Sequence, residues 1–579
     1  MFFKKKKLAD LDITPDEIFM DAKNMPGWER ESFEGVMEKA ITFKTPLLMA
    51  VFFGLLSLTL LSRVGYLDVV RGSDFADKAY VNRLRAVALK PARGVIYDRN
   101  GRELSWNSVV SSSAPPESNV AALGDGLVVE PVRVYASMPG LAHVLGYLGH
   151  VSDYSSELAG KAGVERQYDD VLAGETGSRL VEVDSKERVI SASLQKPSKD
   201  GQSIVLTIDA ELQSELFRIL GSVIQDRGFN AGAGVVMDPR TGEVLAMTSW
   251  PEYDPNVLSQ GDPAKVRSFM SDSKNPFFFR AISGLYAPGS IIKPVMALAA
   301  LSEGVIDENR QIFSSGSISV PNPYNPKEPS IFYDWRPQGW VDLRHALAVS
   351  SNVYFYTVGG GFDDIGGLGV SRIGKYLKLF GLGSGTGIDL VPEAQGFVPN
   401  PEWKTQTLSD KIWRVGDTYN LSIGQGWLQV TPLQMASVVS AISQDGVRVR
   451  PFLVKAIKNS DGGTVDEAET QYGASIDIDR KYFTAVKEGM RMAASPGGTA
   501  AALSGLGINL AGKTGTAEIG KEFVNSWIIS FAPYDKPALV MSIVLERGSV
   551  HNLVGAPFAA RQLYEWMMVH RPEYLKNKN

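Results

Sequence analysis

The chain contains no cysteine, which excludes thiol catalysis, disulfide stapling and cysteine-ligated zinc together. Histidine is nearly as scarce: His143, His150, His345, His551 and His570 are the whole set, leaving few places for a histidine-based catalytic device. Basic charge is not in excess either. The formal net charge is −5, which gives no case for a nucleic-acid partner. Internal repeats are lacking, and so are long apolar runs, with one exception.

That exception is TPLLMAVFFGLLSLTLL (45–61), seventeen residues without a charge. Continued past Arg63, whose side chain can snorkel, to Leu67, it has the length of a bilayer-crossing helix. A cleaved signal peptide has a shorter apolar core and a small-residue cleavage site, whereas Arg63-Val64-Gly65-Tyr66-Leu67 follows here. Lys4 to Lys7, Lys39 and Lys44 precede the run, and the positive-inside tendency places that side in the cytoplasm. The expectation is a single-pass anchor at 45–67, a cytoplasmic tail at 1–44 and an exported body after it.

The body has room for several domains. Segments 88–104 and 174–190 have strand patterns, the first with an Asp-Arg-Asn-Gly turn at 98–101. Residues 108–126 are small and polar and read as a loop. A helix is predicted through 209–228, with Leu212, Leu216, Ile219, Leu220 and Ile224 on one stripe and Gly228 as terminator. Two hairpins follow, one turning at Pro239-Arg240-Thr241-Gly242 and one at Tyr534-Asp535-Lys536-Pro537. Strand pairs at both ends, with helices between them, point to one antiparallel sheet covered by helices, a mixed α/β (α+β) fold.

Three short stretches carry chemistry. Ser290-Ile291-Ile292-Lys293 follows a Pro-Gly turn and opens an apolar helix ending near Gly304. A serine hydroxyl is a weak nucleophile until a neighbouring base takes its proton, and a desolvated lysine can be that base. S-x-x-K also occurs at Ser193-Lys196 and Ser271-Lys274, and only Ser290 sits at a turn into an apolar helix. Ser350-Ser351-Asn352 lies among apolar residues, where it needs polar partners, either as a helix cap or as part of a site. S-x-N recurs at Ser105-Trp106-Asn107 and Ser273-Lys274-Asn275. Lys513-Thr514-Gly515-Thr516 is the one K-T-G of the chain. Lysine and hydroxyls there suit a substrate carboxylate, and Gly515 is read as leaving room for a substrate backbone. Asp334, Asp342 and His345 could be taken as metal ligands, but one histidine with scattered carboxylates is thin support.

The order S-x-x-K, S-x-N, K-T-G, spaced by about 60 and 160 residues, is the signature of serine penicillin-binding proteins and β-lactamases. From about residue 67 to 570 the chain resembles the class B penicillin-binding proteins. RGSDFADKAYVNRLR…PARGVIYDRNGREL, LAHVLGYLG (141–149) and GVERQYDDVLAGETG (163–177) are similar to the pedestal of that family. GDTYNLSIGQGWLQVTPLQMA (416–436) resembles its elongation-type branch.

The resemblance implies a penicillin-binding/β-lactamase-like transpeptidase domain at 208–575, a β-rich pedestal (dimerisation-like) at 68–207 and the bacterial inner membrane as location. It implies D,D-transpeptidation of peptidoglycan stem peptides on lipid II-derived glycan strands. Ser290 would form the acyl-enzyme and release D-Ala, with Lys293 as its base and Ser350 as proton relay. Asn352 would hold the substrate amide and orient Lys293, while Lys513, Thr514 and Thr516 would bind the terminal carboxylate. The N–H groups of Ser290 and Thr516 would form the oxyanion hole. β-Lactams would acylate Ser290, no cofactor or metal is required, and a SEDS-family glycosyltransferase would be the membrane partner. Two departures stand out: the pedestal head between Asn107 and Pro131 is short, and Ile291 replaces the usual Thr after the nucleophile. A D,D-carboxypeptidase or β-lactamase on the same scaffold, or a non-enzymatic sensor with a vestigial site, are the competing readings.

Overall fold

The computed structural model describes residues 44–109, 131–151, 158–184, 189–322, 325, 327–552 and 555–576. The predicted tail and most of the predicted loop at 108–126 lie outside the described residues, as does most of the short pedestal head. The chain divides into two compact units, Met1–Arg85 with Val181–Ser191, and Ala86–Leu180 with Ala192–Asn579.

In the first unit, helix α1 (Lys44–Gly65) runs on through a π-helical turn at Tyr66–Val70. Together they make 27 residues, none of the apolar window buried, long and apolar enough to cross a membrane. Among the described residues this is the one such helix, and it contains the predicted span.

The second unit is mixed α/β. Its sheet comprises β1 (Ala231–Met237), β2 (Val244–Trp250), β3 (Ala511–Ile519), β4 (Phe523–Ala532) and β5 (Leu539–Ser549). The spatial order is β2-β1-β5-β4-β3, every pair antiparallel. Both predicted hairpins are present, and β1 pairs with β5 so that Gly234 faces Ile543. Alternation along the strands serves two cores. Val235, Ile529 and Val544 face one side, and Val236, Ile528 and Ile543 the other. The outer side is covered by α2 (Ala210–Arg227) and by Ala556–His570. Asp209 caps α2, its carboxylate accepting from the N–H groups of Glu211 and Leu212, and Gly228 ends it in the left-handed region at φ 67°. All five residues of the predicted stripe are buried. The inner side carries α3 (Lys293–Ser302), α4 (Asn352–Gly360) and α5 (Pro432–Ser443).

A second, six-stranded sheet joins Thr464–Glu467, Val454–Lys458, Ser203–Leu206, Ile96–Tyr97, Glu103–Val109 and Pro131–Tyr135 in that order. The predicted turn at 98–101 connects two of its strands: Asp98 accepts from the N–H groups of Asn100 and Arg102, and Gly101 sits at φ 84°. Beneath this sheet Glu165, fully buried, accepts from Arg93 Nε and Arg133 Nε at 2.7 Å each, and Arg93 also reaches Asp169 at 2.6 Å.

Candidate active site

The S-x-x-K segment is held where the inner helices meet β3. Gly289 takes φ 57°, and a Cβ there would stand 2.7 Å from the carbonyl oxygen of Thr516, so the turn needs glycine. The Gly289 N–H donates to Gly424 O at 2.8 Å, locking the turn to the loop that follows residue 422. Ser290 lies on a 3-10 turn (Gly289–Ile292) and is half-buried, while Lys293 opens α3 and is fully buried. Ile291 is buried and its Cγ2 packs beside Gly515, so the apolar residue after Ser290 fills space in the core.

Asn352 begins α4, and Ser351 is its cap, accepting from the Tyr354 N–H at 3.3 Å. The helix cap and the contact with the lysines therefore fall to different serines. Ser350, one residue earlier, is buried and adopts φ 58°, an uncommon conformation for a side-chain-bearing residue and one found at functional sites. That twist aims its hydroxyl between two lysines. Lys513 Nζ donates to Ser350 Oγ at 2.8 Å across 163 residues of sequence, and Lys293 Nζ lies 3.4 Å from the same oxygen. Lys293 Nζ also donates to Ser350 O at 2.8 Å and to Asn352 Oδ1 at 2.7 Å.

Two ammonium groups around one buried hydroxyl oppose each other. Burial lowers Lys293 to about 7, an effect that Asp334 partly offsets. Burial, reinforced by the charge of Lys293, lowers Lys513 well below its ordinary value. Both shifts favour loss of a proton from the pair, the direction that makes an amine available as a base.

On β3, Thr514 is half-buried and Thr516 exposed, both on the face opposite Lys513 and Gly515 in the strand's alternation. At Gly515 the structure adds a reason for glycine: a Cβ there would meet Pro288 O at 2.8 Å and Ile291 Cγ2 at 3.0 Å, so the close approach of the Ser290 turn alone requires it. The lookalike motifs separate cleanly. Ser193 and Lys196 lie on one strand, Ser271 ends a helix before Lys274, Ser105-Trp106-Asn107 is strand, and Asn275 follows a turn.

Sequence reasoning missed three contributors. Asp334, considered there only as a metal ligand, is a buried acceptor for Ser314, Ser351 and the Val353 N–H. Asp342 instead caps a separate helix and holds His345, and no group of three possible ligands occurs among the described residues. Gln425 Nε2 donates to Thr516 O at 3.4 Å, and Trp527 Nε1 donates to Ala287 O at 3.1 Å. The glycines bracketing Gln425 were the only sequence signal for that contact.

A buried lysine pair sharing one hydroxyl, next to a serine at a helix start, on a helix-covered antiparallel sheet, defines a serine–lysine acyltransferase. The particular family follows from comparison. Residues 232–564 match the penicillin-binding protein transpeptidase domain, and residues 126–206 match the penicillin-binding protein dimerisation domain. The chain belongs to the penicillin-binding protein transpeptidase family. It is 30% identical to the peptidoglycan D,D-transpeptidase MrdA of Escherichia coli K12, with 93% of this chain and 96% of that protein covered. Penicillin-binding protein 2 of Helicobacter pylori, solved in complex with MreC, superposes with a TM-score of 0.69 at 25% identity, covering 85% of this chain and all of that one. A chain from a peptidoglycan synthase complex, described as coordinating polymerization and crosslinking, gives 0.68 at 26% identity, covering 92% and 99%.

Proposed function

We propose that this chain is a peptidoglycan D,D-transpeptidase of cell-wall elongation, anchored by α1 with its N-terminus in the cytoplasm and its second unit outside. The observation that carries this reading is the meeting of Lys293, Ser350, Asn352 and Lys513 beside the Ser290 turn. A neutral Lys293 takes the Ser290 proton as Oγ attacks the D-Ala-D-Ala carbonyl, and the C–N bond breaks to release D-Ala. Ser350, in contact with both lysines, hands a proton to the leaving amine. Asn352 holds Lys293 and the substrate amide, and Thr514 and Thr516 take the terminal carboxylate, with the charge of buried Lys513 acting on it from the opposite face of the strand. The N–H groups of Ser290 and Thr516 bind the oxyanion. The amine of a second stem then attacks the acyl-enzyme and restores the serine. The membrane helix, the pedestal match and the likeness to named D,D-transpeptidases favour transfer over hydrolysis, and β-lactams acylate the same serine.

A polytopic SEDS-family glycosyltransferase is the proposed membrane partner, in line with the synthase complex of a relative. Co-purification that survives deletion of 45–230 would exclude α1 and the pedestal as the contact. The central test is mass spectrometry of the intact protein after penicillin. A stable adduct on the peptide bearing Ser290 is expected. An adduct on another peptide, or rapid turnover of the drug, would overturn the assignment.

A further inference from the structure

The carboxylate of Asp334 does more than its place in a connecting loop would suggest. The loop is one end of a ribbon in which Ile312–Ser314 pairs with Gly339–Val341, and Ser317–Val320 with Ser330–Tyr333. Side chains alternate along this ribbon. Phe313, Ile331, Tyr333 and Trp340 are exposed, whereas Ile312, Ser314, Ile318, Asp334 and Val341 are buried. An acidic residue at a buried position is costly unless its oxygens are satisfied.

Here four donors converge. Oδ2 accepts from Ser351 Oγ at 2.7 Å, Ser314 Oγ at 3.1 Å and the Val353 N–H at 3.1 Å, and Oδ1 accepts from the Trp335 N–H at 2.9 Å. Two of these donors flank Asn352, and the cap residue Ser351 adjoins Ser350. The carboxylate thus sits at the start of α4, where a negative charge also complements the helix dipole. The charged groups bearing on Lys293 are few. Lys513 approaches from β3, and Asp334 attracts from the ribbon. The remaining neighbours are neutral: Ser350, Asn352 and the ring of Phe355 at 5.4 Å.

We propose that Asp334 is a positioning residue of this site, its one carboxylate fixing the Ser351–Val353 turn and supplying, among the described residues, the negative charge that bears on Lys293. It answers the frustration of the lysine pair from behind, without touching substrate. Because the attraction of Asp334 bears on Lys293, whereas Lys513 feels burial and the charge of Lys293, the carboxylate also biases which amine holds the remaining proton. This inference rests on the Ser290–Lys293 assignment above.

The experiment compares the pH dependence of the acylation rate by a fluorescent penicillin in the full chain, for wild type, Asp334→Asn, Asp334→Glu and Ser351→Ala. In wild type the rate should rise with pH as Lys293 loses its proton. Asp334→Asn removes the charge, so the midpoint should move down by about one pH unit, with the plateau lowered about tenfold by the displaced turn. Asp334→Glu keeps the charge and should return the midpoint towards wild type with the plateau still low. Ser351→Ala, which leaves the carboxylate in place, should lower the plateau without moving the midpoint, and it serves if Asp334→Asn fails to fold. A midpoint unchanged in Asp334→Asn, or one moved equally by Ser351→Ala, would reduce Asp334 to a structural residue. Failure of the assignment beneath would look different: labelling would then persist in Ser290→Ala, whatever Asp334 does.

Discussion

Two buried clusters of charge in the second unit are built on opposite rules. Under the six-stranded sheet, Glu165 is clasped by Arg93 and Arg133, with Asp169 balancing the second valence of Arg93. Opposite charges meet at 2.6–2.7 Å and each ion is compensated. At the candidate active site, Lys293 and Lys513 are equally buried, yet they share a neutral hydroxyl and repel each other. Compensation holds a structure in place, and its deliberate lack leaves a group ready to give up a proton. Reactivity here is read from buried like charges that one carboxylate, Asp334, offsets only in part.

Ser290→Ala sets the extreme of the comparison. Penicillin labelling should vanish while the melting temperature stays put, because a half-buried hydroxyl at a turn contributes little to packing. Labelling that survived would remove the site from its side of the contrast altogether. Lys293→Met comes next. Acylation should slow by about 10²–10⁴-fold as the base is lost, with a small change in stability at neutral pH, because relieving the repulsion with Lys513 offsets the loss of the donor to Ser350 O and Asn352 Oδ1. A large loss of stability would mean that the lysine is structural after all.

Glu165→Ala should do the reverse, lowering unfolding free energy by about 3–5 kcal/mol because two arginines lose their partner. The folded fraction should still label at the wild-type rate, and thermal unfolding in detergent with a labelling assay measures both. A further distinction lies in pH. Lys293 is about 7 when folded and near its ordinary 10.5 when unfolded. Between those values the unfolded chain binds more protons, so stability should rise with pH across that window and level off above it. Lys293→Met should reduce the rise, leaving the part that buried Lys513 contributes, and Glu165→Gln should not. The smallest effect is expected for Thr516→Ala: losing one hydroxyl to a carboxylate should weaken penicillin capture by about threefold to tenfold at limiting drug, with no change in the pH midpoint.

Much of this was legible in the linear text because it depends on local repetition. The stripe from Leu212 to Ile224 gives α2, and the turns at 239–242 and 534–537 give the two hairpins. The serine and both lysines could be singled out by context. What could not be read were facts that depend on packing between distant segments. That Gly515 makes room for Pro288 and Ile291 requires knowing that β3 lies against the nucleophile turn. Asp334 carries no motif, and its value comes from four donors contributed by three segments of chain. The division of labour between Ser350 and Ser351 rests on a backbone twist of one residue, which composition does not encode. The Gln425 contact was hidden for the same reason.

The pairing of β1 with β5 has a consequence for how the molecule comes into being. The chain emerges from the ribosome with the β1–β2 hairpin early and its neighbouring strand about 300 residues behind, a long-range closure of the slow kind. Until then the apolar edge of β1 has no partner, which exposes a nascent chain to aggregation or a need for protection. The strand bearing Lys513 is also among the last to be made. A product truncated before it would carry Ser290 and Lys293 without Lys513, so the lysine pair around Ser350 is completed only when synthesis is nearly finished.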